Sequence, residues 1–295
     1  MTPVTADELA STVADHGVEV VGRLLDASNV AFFATTGDTP VIYKPIRGER
    51  PLWDFPTGCL AHRERASFLL DQAAGFGIVP PTVLHDGPLG PGSVQFWVTD
   101  PDALLTGEET DPSDDLVELG DLDDSDVGDD GDGQAARTLF VLAPPAELRP
   151  PWLPVFTGEL SDGREVVLAH ADSGELRSVA VLDAVLNNSD RKGSHLLRSP
   201  EGHLWGIDQG LCLHEQPKLR TVLWGWAGEP LPPADLERIH RLAEALRGEE
   251  LIDELGDLLT TQELGALTRR VDRLVETGRH PTPQPGWPSV PWPAL

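Results

Sequence analysis

Cysteine is almost absent from this chain of 295 residues, which contains only Cys59 and Cys212. Two thiols are too few for the disulfide framework of a small secreted domain or for a cysteine-rich zinc module. Long apolar stretches are missing as well, and no run approaches the roughly 18 to 20 residues that a membrane-spanning helix needs. The first residues, MTPVTADELASTVADHG, lack the basic start and apolar segment of a signal peptide. The sequence therefore predicts a cytoplasmic protein without integral membrane association.

Positive charge is scarce, because 22 Lys or Arg stand against 49 Asp or Glu and give a net charge of −27. Such a balance argues against binding nucleic acid or anionic lipid through a broad basic surface. The acidic residues are concentrated in residues 102–136, which include 14 Asp or Glu and no Lys or Arg. Like charges repel and few apolar groups are present there, so residues 101–136 are predicted to form a disordered insert. The run DLDDSDVGDDGDG also suggests a calcium loop, but it lacks the glycine and glutamate spacing of an EF-hand.

Residues 1–100 are predicted to form a β-rich lobe. A capping box from Thr5 to Glu8 and a stop at Gly17 predict a short helix. Helical spacing of apolar residues predicts a second helix over 60–74, ended by Gly75. Runs rich in β-branched and aromatic residues predict strands at 18–25, 29–35, 40–46, 82–86 and 93–98.

Residues 137–278 are predicted to form a mainly helical lobe. It begins with strands at 138–143 and 164–169, and the proline-rich residues 144–154 between them are predicted to be irregular. A helix over 173–187, a hairpin in HLLRSPEGHLWGID and three amphipathic helices follow. Residues 279–295 contain six prolines and two tryptophans, and they are predicted to run extended over the surface of this lobe.

Four charged side chains are spread over the two lobes in an order that suggests chemistry. Lys44 lies in a predicted strand, Glu64 in the next helix, Asp190 in the loop NNSDRKGSH, and Asp208 directly after the hairpin. Phosphoryl transfer needs a lysine for the nucleotide phosphates, a carboxylate that fixes this lysine, an aspartate for the acceptor hydroxyl, and metal ligands. The cleft between two lobes is where ligands usually bind, so these groups are predicted to meet there.

The chain resembles the phosphatidylinositol 3-/4-kinase-like branch of the protein-kinase fold, and more closely a family of uncharacterised actinobacterial proteins assigned to that branch. The resemblance is carried by the stretches YKP, GERPLWDFP, VPPTVL, NNSDRKG and KLRTVLWGWAGEPL. It implies a two-lobed, protein-kinase-like α+β fold that uses ATP and Mg²⁺.

The resemblance also implies a role for each matching position. The nucleotide is expected to contact Lys44, with Glu64 as its partner, and the hinge-strand residues Gln95, Phe96 and Trp97. Asp190 and Lys192 are expected to be catalytic, and His195 and Asp208 are expected to bind the metal ion. Arg191, by contrast, is expected to form a structural ion pair rather than to touch the substrate.

Several positions depart from the pattern of that branch. Lys192 replaces a histidine and is better suited to stabilising phosphate charge than to removing a proton. His195 replaces an asparagine, and because imidazole favours transition metals, Mn²⁺ is predicted to support activity as well as Mg²⁺. Gln209 replaces the phenylalanine that usually follows the metal-binding aspartate. A Gly-x-Gly-x-x-Gly loop is missing, which leaves Ser28 and the backbone of its turn to cover the phosphates.

The sequence thus predicts an ATP- and divalent-metal-dependent phosphotransferase with an unidentified hydroxyl acceptor. A protein or a small polyol fits the acidic chain better than a lipid does. Two alternatives stay open: a pseudokinase that binds nucleotide as a regulatory or scaffold module, and a nucleotidyl transferase that moves AMP. Nucleotide binding without turnover would indicate the first, and transfer of label from α-labelled ATP would indicate the second.

Overall fold

A computed structural model of the chain describes residues 4–24, 29–52, 55, 59–99, 101, 116–118, 138–160 and 163–295, with the backbone alone for 116–118. These residues form two lobes, a β-rich N-lobe and a mainly helical C-lobe. Within the described ranges, no helix combines the length and the apolar character needed to cross a bilayer.

The N-lobe is a five-stranded antiparallel sheet with two helices. Its strands are β1 (Glu19–Leu24), β2 (Ala31–Thr36), β3 (Thr39–Pro45), β4 (Thr82–Gly87) and β5 (Gly90–Phe96), in the spatial order β1-β2-β3-β5-β4. Helix α1 (Ala6–His16) begins at the predicted capping box. Helix α2 (Leu60–Ala74) ends where Gly75 adopts the left-handed conformation, as its lack of a Cβ allows.

Alternation along β3 divides its side chains between the two faces of the sheet. Val41 and Tyr43 pack against Leu9 and Val13 of α1 on one face. Lys44 therefore points to the opposite face, where it meets α2. The one lysine of the first 100 residues is thus enclosed between the sheet and α2.

The C-lobe begins with a four-stranded sheet. Its strands β6 (Leu116–Glu118), β7 (Phe140–Ala143), β8 (Trp152–Glu159) and β9 (Glu165–Ala171) have the spatial order β6-β7-β9-β8. Helix α3 (Gly174–Leu186) leads to a hairpin of β10 (Leu196–Arg198) and β11 (Leu204–Gly206), and the helices α4 (Pro233–Ala245), α5 (Glu249–Gly256) and α6 (Thr261–Thr277) follow. Aliphatic side chains from these four helices share one buried core.

Helix α2 belongs to both lobes. Ten of its fifteen residues are buried, so it is enclosed on nearly all sides instead of covering a single face. Its apolar residues, such as Leu70, are part of the C-lobe core. At its C-terminal end, Arg241 and Arg238 of α4 donate to the carbonyl groups of Ala74 and Gly75 at 2.8 and 3.1 Å. The helix is consequently fixed to the C-lobe as well as to the N-lobe sheet.

Residues 279–295 run back across the C-lobe and end beside the loop NNSDRKGSH. The carbonyl oxygen of Ser289 accepts the backbone N–H of Thr221 at 3.0 Å and the indole N–H of Trp224 at 2.7 Å. The carbonyl oxygen of Ala294 accepts the backbone N–H of Gly193 at 2.9 Å. The predicted extended segment is therefore tied by hydrogen bonds to the centre of the lobe.

The predicted α+β fold with a β-rich lobe and a mainly helical lobe is confirmed, but the structure differs from two local predictions. Residues 144–154 are predicted to be irregular, yet β8 begins at Trp152. It tolerates Pro154 because the strand register shifts there, where a missing N–H is least costly. The insert 101–136 is predicted to lack order, yet Leu116–Glu118 pairs in parallel with β7. The other acidic residues of 102–136 lie outside the described part, so their disorder stays a prediction.

Candidate functional site

The amino group of Lys44 lies between two carboxylates from distant parts of the chain. Its Nζ is 2.6 Å from Oε1 of Glu64 on α2 and 3.1 Å from Oδ1 of Asp208, which follows β11. One partner comes from the helix shared by the lobes and the other from the C-lobe. The fold thus brings together three of the predicted site residues where the lobes meet.

These three groups control one another's ionisation. Burial by itself lowers the pKa of the Lys44 ammonium, but the carboxylates of Asp208 and Glu64 raise it above its ordinary value. The charge of Lys44 holds the pKa of Asp208 well below its usual range, so this carboxylate stays ionised. Glu64 is only 3% exposed, and burial raises its pKa although Lys44 opposes the shift. Loss of Lys44 would therefore leave a buried carboxylate beside another acidic group.

Asp190 is held by a turn at the end of α3. The helix ends at Leu186, and the next residue, Asn187, adopts a left-handed conformation that asparagine tolerates well. The side chain of Asn188 then accepts the backbone N–H of Asp190 at 2.9 Å and donates to Asp183 at 3.0 Å. The carboxylate of Asp190 lies 3.3 Å from Nζ of Lys192. The two predicted catalytic side chains are therefore neighbours.

The surroundings of Asp190 favour a proton acceptor. Burial raises the pKa of its carboxyl, and the charge of Lys192 offsets this only in part. A carboxylate with a raised pKa accepts a proton from a hydroxyl more readily. Lysine is rare in the chain, which has three in all, and two of them, Lys44 and Lys192, lie at this site.

Arg191 supports the loop through a fully buried guanidinium. Its Nε and Nη2 each bind a carboxylate oxygen of Asp183 at 3.0 Å. Its Nη1 donates to the carbonyl groups of His195 and Ile207 at 3.3 and 2.9 Å. The predicted structural ion pair of Arg191 is confirmed, and it joins α3, the loop and the residue before Asp208.

His195 and Asp208 face each other at the predicted metal position, with Nε2 and Oδ2 3.6 Å apart. Burial lowers the pKa of His195 to about 4, so the ring is neutral at neutral pH. The carboxylate of Asp208 is 45% exposed and accessible to a ligand. Within the described ranges, no group of three or more His, Cys, Asp or Glu could hold a metal ion by itself.

The surroundings of Nδ1, the second ring nitrogen of His195, make this residue a poorer metal ligand. Its Nδ1 is buried and has no hydrogen-bond partner among the described residues. An imidazole that binds a metal almost always donates its other N–H to a carboxylate, carbonyl or water. Asp208 therefore fits the role of metal ligand better than His195 does.

The predicted hinge residues are buried in the N-lobe. Gln95 is 3% exposed, and its side-chain amide donates to the hydroxyl of Thr82 at 2.8 Å. Phe96 points to the α1 side of the sheet and belongs to the core there. Phe96 therefore points away from the Lys44 cluster, whereas Gln95 pairs with Ile42 and lies on the same face of the sheet as Lys44. Ser28, the predicted phosphate contact, lies outside the described residues.

Trp97 is better placed for a nucleotide. Its indole packs edge to face against Phe33, with 5.0 Å between the ring centroids. Phe33 pairs across the strands with Ile42 and so lies on the same face of the sheet as Lys44. The indole Nε1 of Trp97 is buried and has no hydrogen-bond partner in the described part of the chain. It is a donor that a ligand could use.

Three polar residues that support the site carry no role in the sequence prediction. Asp183 and Asn188 are fully buried. The sequence offers a signal for Asp183 alone, because an aspartate within the otherwise apolar helical run VAVLDAVL needs a buried partner. Gln209, which replaces a phenylalanine of the related motif, donates its side-chain amide to the carbonyl of Gly206 at 2.6 Å. Its backbone N–H donates to Oε2 of Glu64 at 3.3 Å. The apolar anchor is thus replaced by hydrogen bonds.

The chain has a relative among known proteins that matches almost its whole length. It is 41% identical over 293 residues to Protein Rv2133c of Mycobacterium tuberculosis (strain ATCC 25618 / H37Rv), and the alignment covers 98% of the chain and 96% of the relative. The chain belongs to the same family as this mycobacterial protein. No model of a known protein family matches the chain, and membership of the phosphatidylinositol 3-/4-kinase-like branch stays a prediction.

Two solved structures resemble the chain at low sequence identity. The Golgi casein kinase gives a TM-score of 0.47 at 13% identity, with 92% of the chain and 74% of the kinase covered. The Golgi casein kinase with Mn/ADP bound gives a TM-score of 0.48 at 14% identity, with coverage of 92% and 75%.

Proposed function

We propose that the protein is an ATP- and divalent-metal-dependent phosphotransferase that acts on a hydroxyl acceptor. The observation that carries this proposal is the Lys44 ammonium held at 2.6 Å from Glu64 and 3.1 Å from Asp208. Enzymatic phosphoryl transfer depends mainly on positioning and on charge stabilisation. A fixed cation for the phosphates beside an ionised carboxylate supplies both.

Asp190 is the proposed partner of the acceptor hydroxyl. Burial raises the pKa of this carboxyl, which suits it to accept a hydrogen bond and then a proton from a hydroxyl. Lys192, with Nζ 3.3 Å from Asp190, places positive charge beside the oxygen that becomes negative as the proton leaves. Asp190 therefore orients the acceptor, and Lys192 stabilises the charge that develops.

The adenine ring is assigned to the sheet face that carries Lys44, next to Trp97 and Phe33. Their edge-to-face contact gives an apolar wall, and ligand pockets are mostly apolar with a few polar groups that fix orientation. The unpartnered indole N–H of Trp97 is such a polar group. A buried donor without a partner is costly, so a ligand that accepts its hydrogen bond gains affinity.

The residues present fit a divalent ion that binds together with ATP. Mg²⁺ in nucleotide sites is usually held by one or two carboxylates plus phosphate oxygens, without an all-protein cage. Asp208, ionised and 45% exposed, matches that pattern, and His195 is the second and weaker candidate. When bound, the ion supplies positive charge that neutralises the phosphate oxygens.

Calorimetric titration with ATP, first with Mg²⁺ and then with Mn²⁺, tests the nucleotide site. We expect metal-dependent binding by the wild-type protein and its loss in Asp208→Ala, which removes the ionised carboxylate. Asp253→Ala is the matched control, because this aspartate is exposed on α5, and it should bind as the wild type does. Absence of binding with either ion would refute the kinase and the nucleotide-binding alternative together.

Transfer is a separate question from binding. One observation favours a nucleotide-binding module without turnover, namely the poor fit of His195 as a metal ligand. Transfer of the label from γ-labelled ATP to an acceptor or to water, with ADP as the unlabelled product, would support the phosphotransferase if Asp190→Asn abolishes it while ATP still binds. Binding without release of ADP would support the module, and transfer of the α-label would indicate a nucleotidyl transferase.

A further inference from the structure

Arg63 directly precedes Glu64 on α2, and its side chain extends into the C-lobe. The guanidinium is 1% exposed. Its Nη1 donates to the carbonyl oxygen of Cys212 at 2.7 Å, and its Nη2 pairs with Oε1 of Glu263 on α6. Adjacent residues of one helix are thus anchored in different lobes, because Glu64 binds Lys44 of the N-lobe sheet and Arg63 binds the C-lobe.

Glu263 holds its carboxylate in place by capping its own helix. The backbone N–H of Thr260 donates to Oε2 of Glu263 at 2.9 Å, and the backbone N–H of Glu263 donates to the hydroxyl of Thr260 at 3.3 Å. One carboxylate oxygen therefore completes the capping box and the other faces Arg63. The cap orients the carboxylate toward α2.

The segment after Asp208 contacts the same turn of α2. The backbone N–H of Gln209 donates to Oε2 of Glu64 at 3.3 Å. Three residues later, the carbonyl of Cys212 accepts from Arg63. A Cβ added at Gly210 would lie 3.3 Å from the side chain of Leu60, so the backbone approaches the helix closely. Any shift of α2 would disturb Glu64 and the chain around Asp208 at the same time.

We infer that Arg63 and Glu263 are positioning residues for the contact between Lys44 and Glu64. Their ion pair holds α2 at the depth at which Glu64 reaches Lys44 and Gln209 at once. The inference rests on the proposed function for its catalytic meaning. Because α2 is fixed in the C-lobe, the Lys44–Glu64 pair is assembled before a nucleotide binds, and a preorganised site loses less conformational freedom on binding.

Two substitutions near the start of α6 separate positioning from simple stabilisation of that helix. Glu263→Gln removes the charge that pairs with Arg63, yet glutamine can still complete a capping box. Thr260→Ala removes the hydroxyl from the cap, but the backbone N–H of residue 260 still donates to Oε2 of Glu263 and keeps the carboxylate paired with Arg63. Both variants should lower the melting temperature. Only Glu263→Gln should weaken the binding of ADP with Mg²⁺, by about fivefold or more, the usual lower limit for coupled sites.

Amide hydrogen exchange at Gln209, measured without nucleotide, gives a readout that does not depend on activity. We expect faster exchange in Glu263→Gln and wild-type exchange in Thr260→Ala. Arg63→Lys keeps the charge but loses the fork that reaches both partners, and it should behave like Glu263→Gln. Equal effects of Glu263→Gln and Thr260→Ala, or no effect of either substitution on Gln209, would overturn the inference. If the wild-type protein binds no ADP, the proposed function fails and the exchange at Gln209 alone decides the positioning role.

Discussion

Substitutions of the buried ion pair between Arg191 and Asp183 can distinguish an effect on the stability of the fold from an effect on the geometry of the proposed site. Both side chains are fully buried, and two bonds of 3.0 Å join them. Asp183→Ala leaves the guanidinium buried without its counter-charge, a change that costs about 3–5 kcal/mol in other proteins. With about 2–4 °C per kcal/mol for a chain of this size, we expect the melting temperature to fall by roughly 6–20 °C.

A double substitution distinguishes the role of the pair in stability from its role in positioning the loop. Asp183→Leu combined with Arg191→Met removes both charges, and apolar replacement of a buried ion pair is often neutral or stabilising. The double variant also lacks the hydrogen bonds from Arg191 to the carbonyl groups of His195 and Ile207. We therefore expect the double variant to regain most of the stability but not the turnover of ATP.

Urea unfolding measures the free energy of unfolding, and release of ADP from ATP measures turnover. Glu175→Ala is the matched control, because Glu175 pairs with Arg198 at 2.8 Å on the surface, where such pairs contribute less than about 1 kcal/mol. A double variant that is both stable and as active as the wild type would refute the reasoning. It would mean that Arg191 stabilises the lobe without positioning the loop.

Two further predictions concern histidines. His195→Asn restores the amide of the related motif and should favour Mg²⁺ over Mn²⁺ in nucleotide binding, because an amide oxygen suits the harder ion; an unchanged ratio in calorimetry would show that His195 does not touch the metal. His170 is enclosed by Ala171 and Gly225, and burial lowers its pKa from 6.5 to about 4. Its folded pKa lies below the unfolded value, so its contribution is complete above about pH 6.5 and decreases by up to about 3 kcal/mol as the pH falls to about 4. In His170→Gln, the free energy of unfolding in urea should therefore depend less on pH between pH 7 and 5 than in the wild type. An identical pH dependence of the two proteins would contradict this. The difference between the two proteins is the quantity to compare, because burial raises the pKa of Asp71 to about 7 and acts in the opposite direction.

Local patterns predict the elements of this fold well where they agree with tertiary packing. The spacing of apolar residues and Gly75 predict α2 with the bounds that the structure has, Leu60–Ala74. The contact between Lys44 and Asp208 could be predicted because the proposed phosphoryl transfer requires a lysine and an aspartate in such an order. Strand alternation applied to SVQFWV would also have separated Phe96 from the cleft face, since neighbouring residues of a strand point to opposite sides.

Long-range pairs leave no local signal. Arg63 and Glu263 are 200 positions apart, and Arg63 looks like one charge in a run of three. Buried charges are rare, so a charged run on a helix predicts a solvated face. The same limit applies to Pro154, whose place at a register shift of β8 depends on its pairing with β9. These features follow from tertiary packing that a single sequence does not display.

The hydrogen bond from Gly193 to the carbonyl of Ala294 has a consequence for the order in which the protein is made. The two residues are about 100 positions apart, so at a synthesis rate of about 5–20 residues per second the loop is made roughly 5–20 s before its partner. During that interval the N–H of Gly193 lacks this partner, and the space that Leu295 fills beside Gly193 in the folded protein is open. A nascent chain can therefore build much of both lobes while the loop proposed to position Asp190 still lacks this contact. The loop gains the contact only when residues 289–295 have been made and reach the C-lobe.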